Sequence, residues 1–260
     1  MKILKRFRLF EWHEQTWVPR LLRNAITDYL SVFLGYYKIY IPVVPILADM
    51  LKKTGCNKVF DFCSGSGGPL LDIQKKLEEE YGLSITVELS DKFPQGKYSI
   101  TQTNAVIQYH ASSVDVLTFA KPTQAVRTLF TAYHHFRPQA AREILAKAMA
   151  QREAIAIFEF SRNHWQHYML DAFAPFSVLL LNHKIRKKGF WYKFWVYVIP
   201  IVPLFTWWDA VVSNLRVYSP AQLKKLIEDM EGGDYRWEIG TMPAGLRFYR
   251  LTYLLGWPND

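Results

Sequence analysis

The chain has 260 residues, half of them hydrophobic and 16% aromatic, with 21% charged and a formal net charge of +9. This composition excludes a disordered chain and gives enough length for one α/β domain with an extension. The positive balance favours anionic partners, phospholipid headgroups or nucleic acid, without choosing between them. Two cysteines, Cys56 and Cys63, exclude a disulfide scaffold and fit a reducing cytoplasm.

The basic N-terminus (Lys2, Lys5, Arg6, Arg8) meets Glu11, His13 and Glu14 before any apolar core develops, so no secretory signal is expected. From Val18 to Met50 apolar residues recur at roughly helical spacing (Leu21, Leu22, Ile26, Tyr29, Leu30, Phe33, Leu34, Tyr37), and Pro42 and Pro45 then break the pattern. Residues 1–55 are therefore predicted to form a helical N-terminal extension.

Strand and helix patterns alternate from Cys56 onward. Residues 58–62 read as a buried strand and 69–81 as a helix facing inward through Leu70, Ile73 and Leu77. Further strands are predicted at 84–89, 107–110, 125–130 and 154–160, with a helix at 138–150. Strands alternating with helices of this length imply parallel pairing through right-handed crossovers. Residues 161–218 break the rhythm. They carry a basic cluster (Lys184, Arg186, Lys187, Lys188) and then the apolar stretch 190–208, whose only charge is Lys193. That stretch approaches the roughly 20 residues needed to cross a bilayer. Pro200, Pro203 and the following Asp209 favour instead a kinked hairpin or lid, lying over the cleft or in a membrane interface. Ser219 and Pro220 read as an N-cap and first helical residue, and 235–239 and 246–255 as two closing strands. The expected fold is α/β: a Rossmann-like, mostly parallel seven-stranded sheet with helices on both faces. The N-terminal extension precedes it, and residues 56–260 form the main domain, with 161–218 inserted after strand five.

The first strand ends at Asp61 and runs into Phe62-Cys63-Ser64-Gly65-Ser66-Gly67-Gly68-Pro69. Glycines there let backbone approach a ligand, and a following helix N-terminus favours polar or anionic groups. A dinucleotide fingerprint would need a third glycine where Leu70 stands, which disfavours a nicotinamide-dependent reductase. Acids follow the next two strands instead: Asp91, placed to grip ribose hydroxyls, and Asp115, placed to accept from an adenine amino group.

This ordered set resembles the class I S-adenosylmethionine-dependent methyltransferases. Asp61-Phe62-Cys63-Ser64-Gly65-Ser66-Gly67 is similar to their Asp-x-Gly-x-Gly-x-Gly motif, with cysteine replacing the first glycine. Thr131-Ala132-Tyr133-His134-His135-Phe136 also looks like the segment that many members place beside the methyl group. The likeness spans about residues 56–160 and 219–260, and is greatest to an uncharacterised bacterial branch. It implies S-adenosylmethionine as cofactor, contacted by Asp61, Cys63, Ser64, Gly65 and Gly67 in the turn, by Asp91, by Val114 and Asp115, and by Tyr133. It implies methyl transfer to a small, hydrophobic or amphipathic acceptor, with His134 and His135 as candidate proton acceptors or pocket walls.

His164 and His167 share a helix face but lack a third ligand at matching spacing, so no metal is expected. The partners expected are a small-molecule or lipid-like acceptor and a peripheral membrane contact through 184–208, at the cytoplasmic face. Nucleic acid is disfavoured because the basic residues are dispersed. An inactive, membrane-peripheral interaction protein with the same fold is the non-enzymatic alternative.

Overall fold

The computed structural model describes residues 9–65, 67–94, 106–185, 189–230 and 233–259. Two helices precede the sheet: α1 (Arg20–Tyr36) and α2 (Val44–Thr54). Pro42 lies in the short turn between them and Pro45 in the first turn of α2, where a missing amide costs nothing. Gly55 ends α2 in the left-handed region, at φ +62°.

The core alternates β1 (Lys58–Asp61), α3 (Leu70–Tyr81), β2 (Thr86–Leu89), β3 (Ile107–Tyr109), β4 (Val126–Phe130), α4 (Pro138–Ala150) and β5 (Ile155–Glu159). All five residues of β4 and of β5 are buried, as expected for parallel strands covered on both faces. Side chains of β1 and β5 divide by the strand period of two. Val59, Ala156 and Phe158 join the cluster formed with α1, α2 and α3; Phe60, Ile155 and Ile157 join that formed with α4 and α9 (Pro220–Ile227). The N-terminal helices thus share one continuous core with the sheet. Ser219 and Gln222 close a reciprocal capping box at the start of α9.

The strand order is β3-β2-β1-β4-β5-β7-β6, with β6 at Tyr235–Pro243 and β7 at Arg250–Pro258. Strands β1 to β5 pair in parallel; β7 runs antiparallel to both β5 and β6. The order reverses between β1 and β4, which opens a crevice at their carboxyl ends. The last strand begins later than its hydrophobic pattern implied. Leu246 and Tyr249 close a turn, with the Tyr249 amide donating to Leu246 O and the Ala244 amide to Tyr249 O, so pairing starts only at Arg250.

Residues 161–218 fold as helices: α5 (Trp165–Ala172), α6 (Ala174–Leu181), the short α7 (Phe190–Lys193) continued by a π-helical turn (Phe194–Val198), and α8 (Ile201–Arg216). The chain bends by 69° between Val198 and Ile201, at Pro200, so the kink expected from the prolines is present. Pro203 falls in the first turn of α8, where it is tolerated. Trp12 stacks on Phe205 of α8 at 4.2 Å, and the hydroxyls of Tyr29 (α1) and Ser177 (α6) pair. The N-terminal segment and the insertion therefore pack on each other. Among the described residues no single helix is long and apolar enough to cross a membrane. In the basic cluster, residues 186–188 lie outside the described residues.

Candidate active site

Leaving β1, the chain enters a turn that needs unusual backbone. Cys63 takes φ +58°, Gly65 +51°, Gly67 +94° and Gly68 +52°. Three of these are glycines, which adopt such angles freely; Cys63 carries the penalty of a β-carbon. Hydroxyls hold the turn in place. Ser64 Oγ donates to Asp61 Oδ2 at 2.6 Å, Thr128 Oγ1 donates to Asp61 Oδ1 at 2.6 Å, and Ser90 Oγ donates to Asp61 O at 2.8 Å. Asp61 is thus the knot joining the ends of β1, β2 and β4. Burial pushes its carboxyl up to about 7, against the pull of the Ser64 and Thr128 hydroxyls, with the Asp91 charge adding to the rise. Burial, with Asp91, Asp61 and Asp115 nearby, also raises the Cys63 thiol, which stays protonated.

Asp91 stands just past β2 and reaches back to the turn. Its Oδ2 accepts from the Gly65 amide at 2.9 Å and its Oδ1 from the Phe93 amide at 2.8 Å. Tyr109, at the end of β3, donates to Gly65 O at 2.9 Å. A β-carbon on Gly65 would lie 3.4 Å from Thr27 Cγ2, so α1 passes directly over the turn. Val114 is buried, and its amide donates to Asp91 O at 2.9 Å. Asp115 accepts from the Leu117 amide and pairs with Lys92 at 2.7 Å; burial opposes its charge, but Lys92 and that amide hold its carboxyl below the usual range. Asp61, Cys63, Ser64, Gly65, Gly67, Asp91, Val114 and Asp115 are therefore brought together at successive strand ends. Tyr133 differs: its side chain is fully buried, its ring tilted against Tyr218 and its hydroxyl donating to Ala141 O at 2.8 Å, so its ring belongs to the core.

Across the crevice, β4 is followed by Thr131, whose φ of +50° is costly for a β-branched residue. The buried Tyr40 hydroxyl pairs with Thr131 Oγ1 and accepts from the Phe160 amide at 3.1 Å, fixing this bend to the N-terminal helices. The next turn delivers His134 and His135. His134 is buried, with Nδ1 2.8 Å from Glu159 Oε2, and its amide donates to Glu159 Oε1 at 3.1 Å. Burial opposes the Glu159 charge, yet the His134 contacts hold its carboxyl below the usual range. His135 Nδ1 lies 2.7 Å from Glu14 Oε1, and burial and the His134 charge lower its pKa.

Sequence reasoning did not anticipate what surrounds these histidines. Glu11 is completely buried between His13, His134, His135 and Arg216, and that burial raises its pKa. Arg216 Nη1 donates to Glu11 Oε1 at 3.0 Å and to Glu14 Oε1 at 2.9 Å. His13 Nδ1 lies 2.9 Å from Asp209 Oδ2; burial works against its charge, but Asp209 and Glu11 outweigh it and raise the imidazole to about 9. His164 and His167, in contrast, do not converge on a site. His167 is buried against Phe160 and Tyr249, while His164 begins α5 beside Trp165. A cleft of about 450 Å3 opens near the end of α8, lined by Arg162, His164, Leu215, Tyr218 and Thr252 among others, and none of the turn residues reaches it.

No protein-family model matches the sequence, and no curated protein matches it. Structural similarity is nonetheless extensive. The plantazolicin methyltransferase BpumL, in complex with a pentazolic desmethylPZN analog and SAH, superposes with a TM-score of 0.55 at 9% identity, covering 93% of this chain and 99% of that one. The same enzyme with a triazolic analog and SAH gives a TM-score of 0.53 at 13% identity, covering 96% and 93%. Strand order, the antiparallel seventh strand, the glycine turn after β1 and these superpositions agree: the chain has the class I methyltransferase fold.

Proposed function

We propose that this protein is an S-adenosylmethionine-dependent methyltransferase acting on a small, hydrophobic or amphipathic acceptor. The observation that carries the reading is the hydrogen bond from the Gly65 amide to Asp91 Oδ2, which locks the glycine turn against the acid expected to hold the ribose. In this reading Gly65 and Gly67 lie against the cofactor's amino-acid end, Asp61 takes its ammonium through water, and Val114 with Asp115 flanks the adenine. The cofactor supplies the electrophilic methyl group; the chain aligns it and excludes water. His134 and His135 belong to the acceptor side. BpumL, which has the same fold, is crystallised with SAH, and this supports the cofactor assignment.

A membrane-facing acceptor is supported by the insertion. Trp165, Met169, Phe173, Phe176 and Leu180 are all exposed: Trp165 and Met169 share one face of α5, Phe176 and Leu180 one face of α6, and Phe173 lies at their junction. Phe190, Trp191, Tyr197 and Val198 extend this apolar surface. Lys184 and Lys193 flank it, each basic residue worth about 1 kcal/mol near anionic lipid. The occupant that fits is an anionic phospholipid interface, with aromatic rings at headgroup level.

The test is incubation with methyl-labelled S-adenosylmethionine and separate lipid and aqueous extracts, read by mass spectrometry. Label in one lipid-phase product, absent with Gly65→Val, is expected. Label confined to water-soluble products contradicts the lipid acceptor, and no label in either phase contradicts the enzyme.

A further inference from the structure

Side chains from distant parts of the chain meet beside the end of β4. Glu11 comes from the N-terminal segment; its Oε1 lies 3.8 Å from His134 Nε2 and its Oε2 3.8 Å from His135 Nδ1. One ligand atom from each of the three lies within 4.8 Å of the others. The spacing is wider than a bound ion would impose, so a ligating arrangement needs only a small contraction of side chains.

Orientation points the same way. His134 Nδ1 is engaged by Glu159 at 2.8 Å, which leaves Nε2 as the nitrogen turned toward Glu11. Metal-bound imidazoles are oriented by outer carboxylates in this manner. His135 differs: its Nδ1, the nitrogen nearest Glu11, also lies 2.7 Å from Glu14 Oε1, so an ion bound through it would displace that contact. Glu11 supplies the independent observation: it is 0% exposed, yet its Oε2 accepts no hydrogen bond among the described residues. Buried carboxylate oxygens are normally satisfied, because leaving one bare forfeits its hydration. Arg216 takes Oε1 and Glu14, leaving Oε2 to face His135 at 3.8 Å and His13 at 3.5 Å, the latter too far for a hydrogen bond. The carboxylates of Glu11, Glu14, Glu159 and Asp209 outnumber the two cations among them, Arg216 and the His13 imidazolium, so the cluster favours a further cation.

A second grouping, Glu11 with His13 and Asp209, is equally compact. Asp209, however, is already consumed: its Oδ1 accepts from the Trp12 amide at 2.6 Å, and its Oδ2 from the His13 amide at 3.1 Å. It fastens the N-terminal turn to α8 and has little left to offer an ion.

We propose that Glu11, His134 and His135 form a mononuclear site for a divalent transition cation of the zinc or cobalt type, bound by two imidazoles and one carboxylate with positions left open. Imidazole and carboxylate donors suit these ions. An ion there would hold and orient an acceptor oxygen on the acceptor side of the crevice. That use rests on the methyl-transfer reading, whereas binding of the ion does not.

The experiment is titration of chelator-treated, full-length protein with Co2+ in the absence of nucleoside, followed by visible absorption and calorimetry. One equivalent is expected to bind with a ligand-field band that Zn2+ displaces. The band should vanish in Glu11→Gln and in His135→Gln and persist in His164→Ala. Glu159→Gln, with circular dichroism checking the fold, should keep the band at roughly 10- to 100-fold weaker affinity. Absence of heat and band at saturating Co2+ overturns the site, as does a band unchanged in Glu11→Gln or affinity unchanged in Glu159→Gln. SAH binding measured on the same samples reports the methyl-transfer reading separately.

Discussion

The Gly65 amide donates to Asp91 Oδ2 across the gap between the ends of β1 and β2. A backbone donor thereby fixes the carboxylate that follows the second strand, while Tyr109 from β3 holds the Gly65 carbonyl. The turn is set before any ligand arrives, so the ordering cost of binding is small.

Asp61 makes cofactor affinity depend on pH. Its folded-state pKa is raised from 3.8 to about 7, so its contribution to stability is complete below about 3.8 and is lost as pH rises through about 7. An ammonium-bearing ligand prefers the ionised carboxylate. SAH affinity should therefore rise by up to about tenfold per unit between pH 5 and 7 and level off above 8. The groups that face Asp61 are the Ser64, Ser90 and Thr128 hydroxyls and the Asp91 charge. Calorimetry across this range should show the slope in wild type and a flat profile in Asp61→Asn; equal slopes would remove Asp61 from the binding step.

Cys63 occupies a left-handed position that glycine fills without strain. Cys63→Gly should leave SAH affinity within about threefold and raise stability by about 1 kcal/mol, less whatever contact the half-buried thiol makes. Urea denaturation decides the point, and a loss above about 1 kcal/mol would mean that the thiol packs more than the backbone strains.

Much of this site could be read from sequence because it is local. The strand, the glycine turn and the next acids lie within a few tens of residues, and their hydrophobic periods mark the strand ends. The Ser219 cap and the bend at Pro200 were legible for the same reason: each is set by its own side chain. The Glu11 cluster was not. Glu11, His13 and Glu14 register in the sequence only as interruptions of a basic N-terminus, and Asp209 as the end of an apolar run, yet His13 and Asp209 meet across 196 residues. Charged residues stranded inside aromatic segments were the available signal. The His164–His167 spacing is more conspicuous because it is short, and burial of His167 against Phe160 explains it as core.

Gly245 carries the contact between the β6–β7 turn and the N-terminal region. Its amide donates to Ile39 O at 3.0 Å, and an added β-carbon would lie 2.2 Å from Lys38 O and 2.5 Å from Tyr37 O. Gly245→Ala must displace backbone and should cost about 2 kcal/mol, lowering the melting temperature by roughly 6 °C. An unchanged melting temperature would mean that this docking yields without cost.

The apolar surface of the insertion should bind vesicles containing anionic phospholipid, and salt should weaken the binding as it screens Lys184 and Lys193. Replacing Phe190 and Trp191 together by Ser should lower the bound fraction in co-sedimentation at least severalfold without changing SAH affinity. Equal binding by the double variant would move the contact elsewhere.

Calorimetric titration with SAH addresses the central claim most directly. Wild-type protein should bind one equivalent, Gly65→Val and Asp91→Ala should release no measurable heat, and both variants should retain native circular dichroism. Saturating nucleoside without heat in wild type, or undiminished affinity in both variants, would contradict the assignment of this crevice to an adenosyl cofactor.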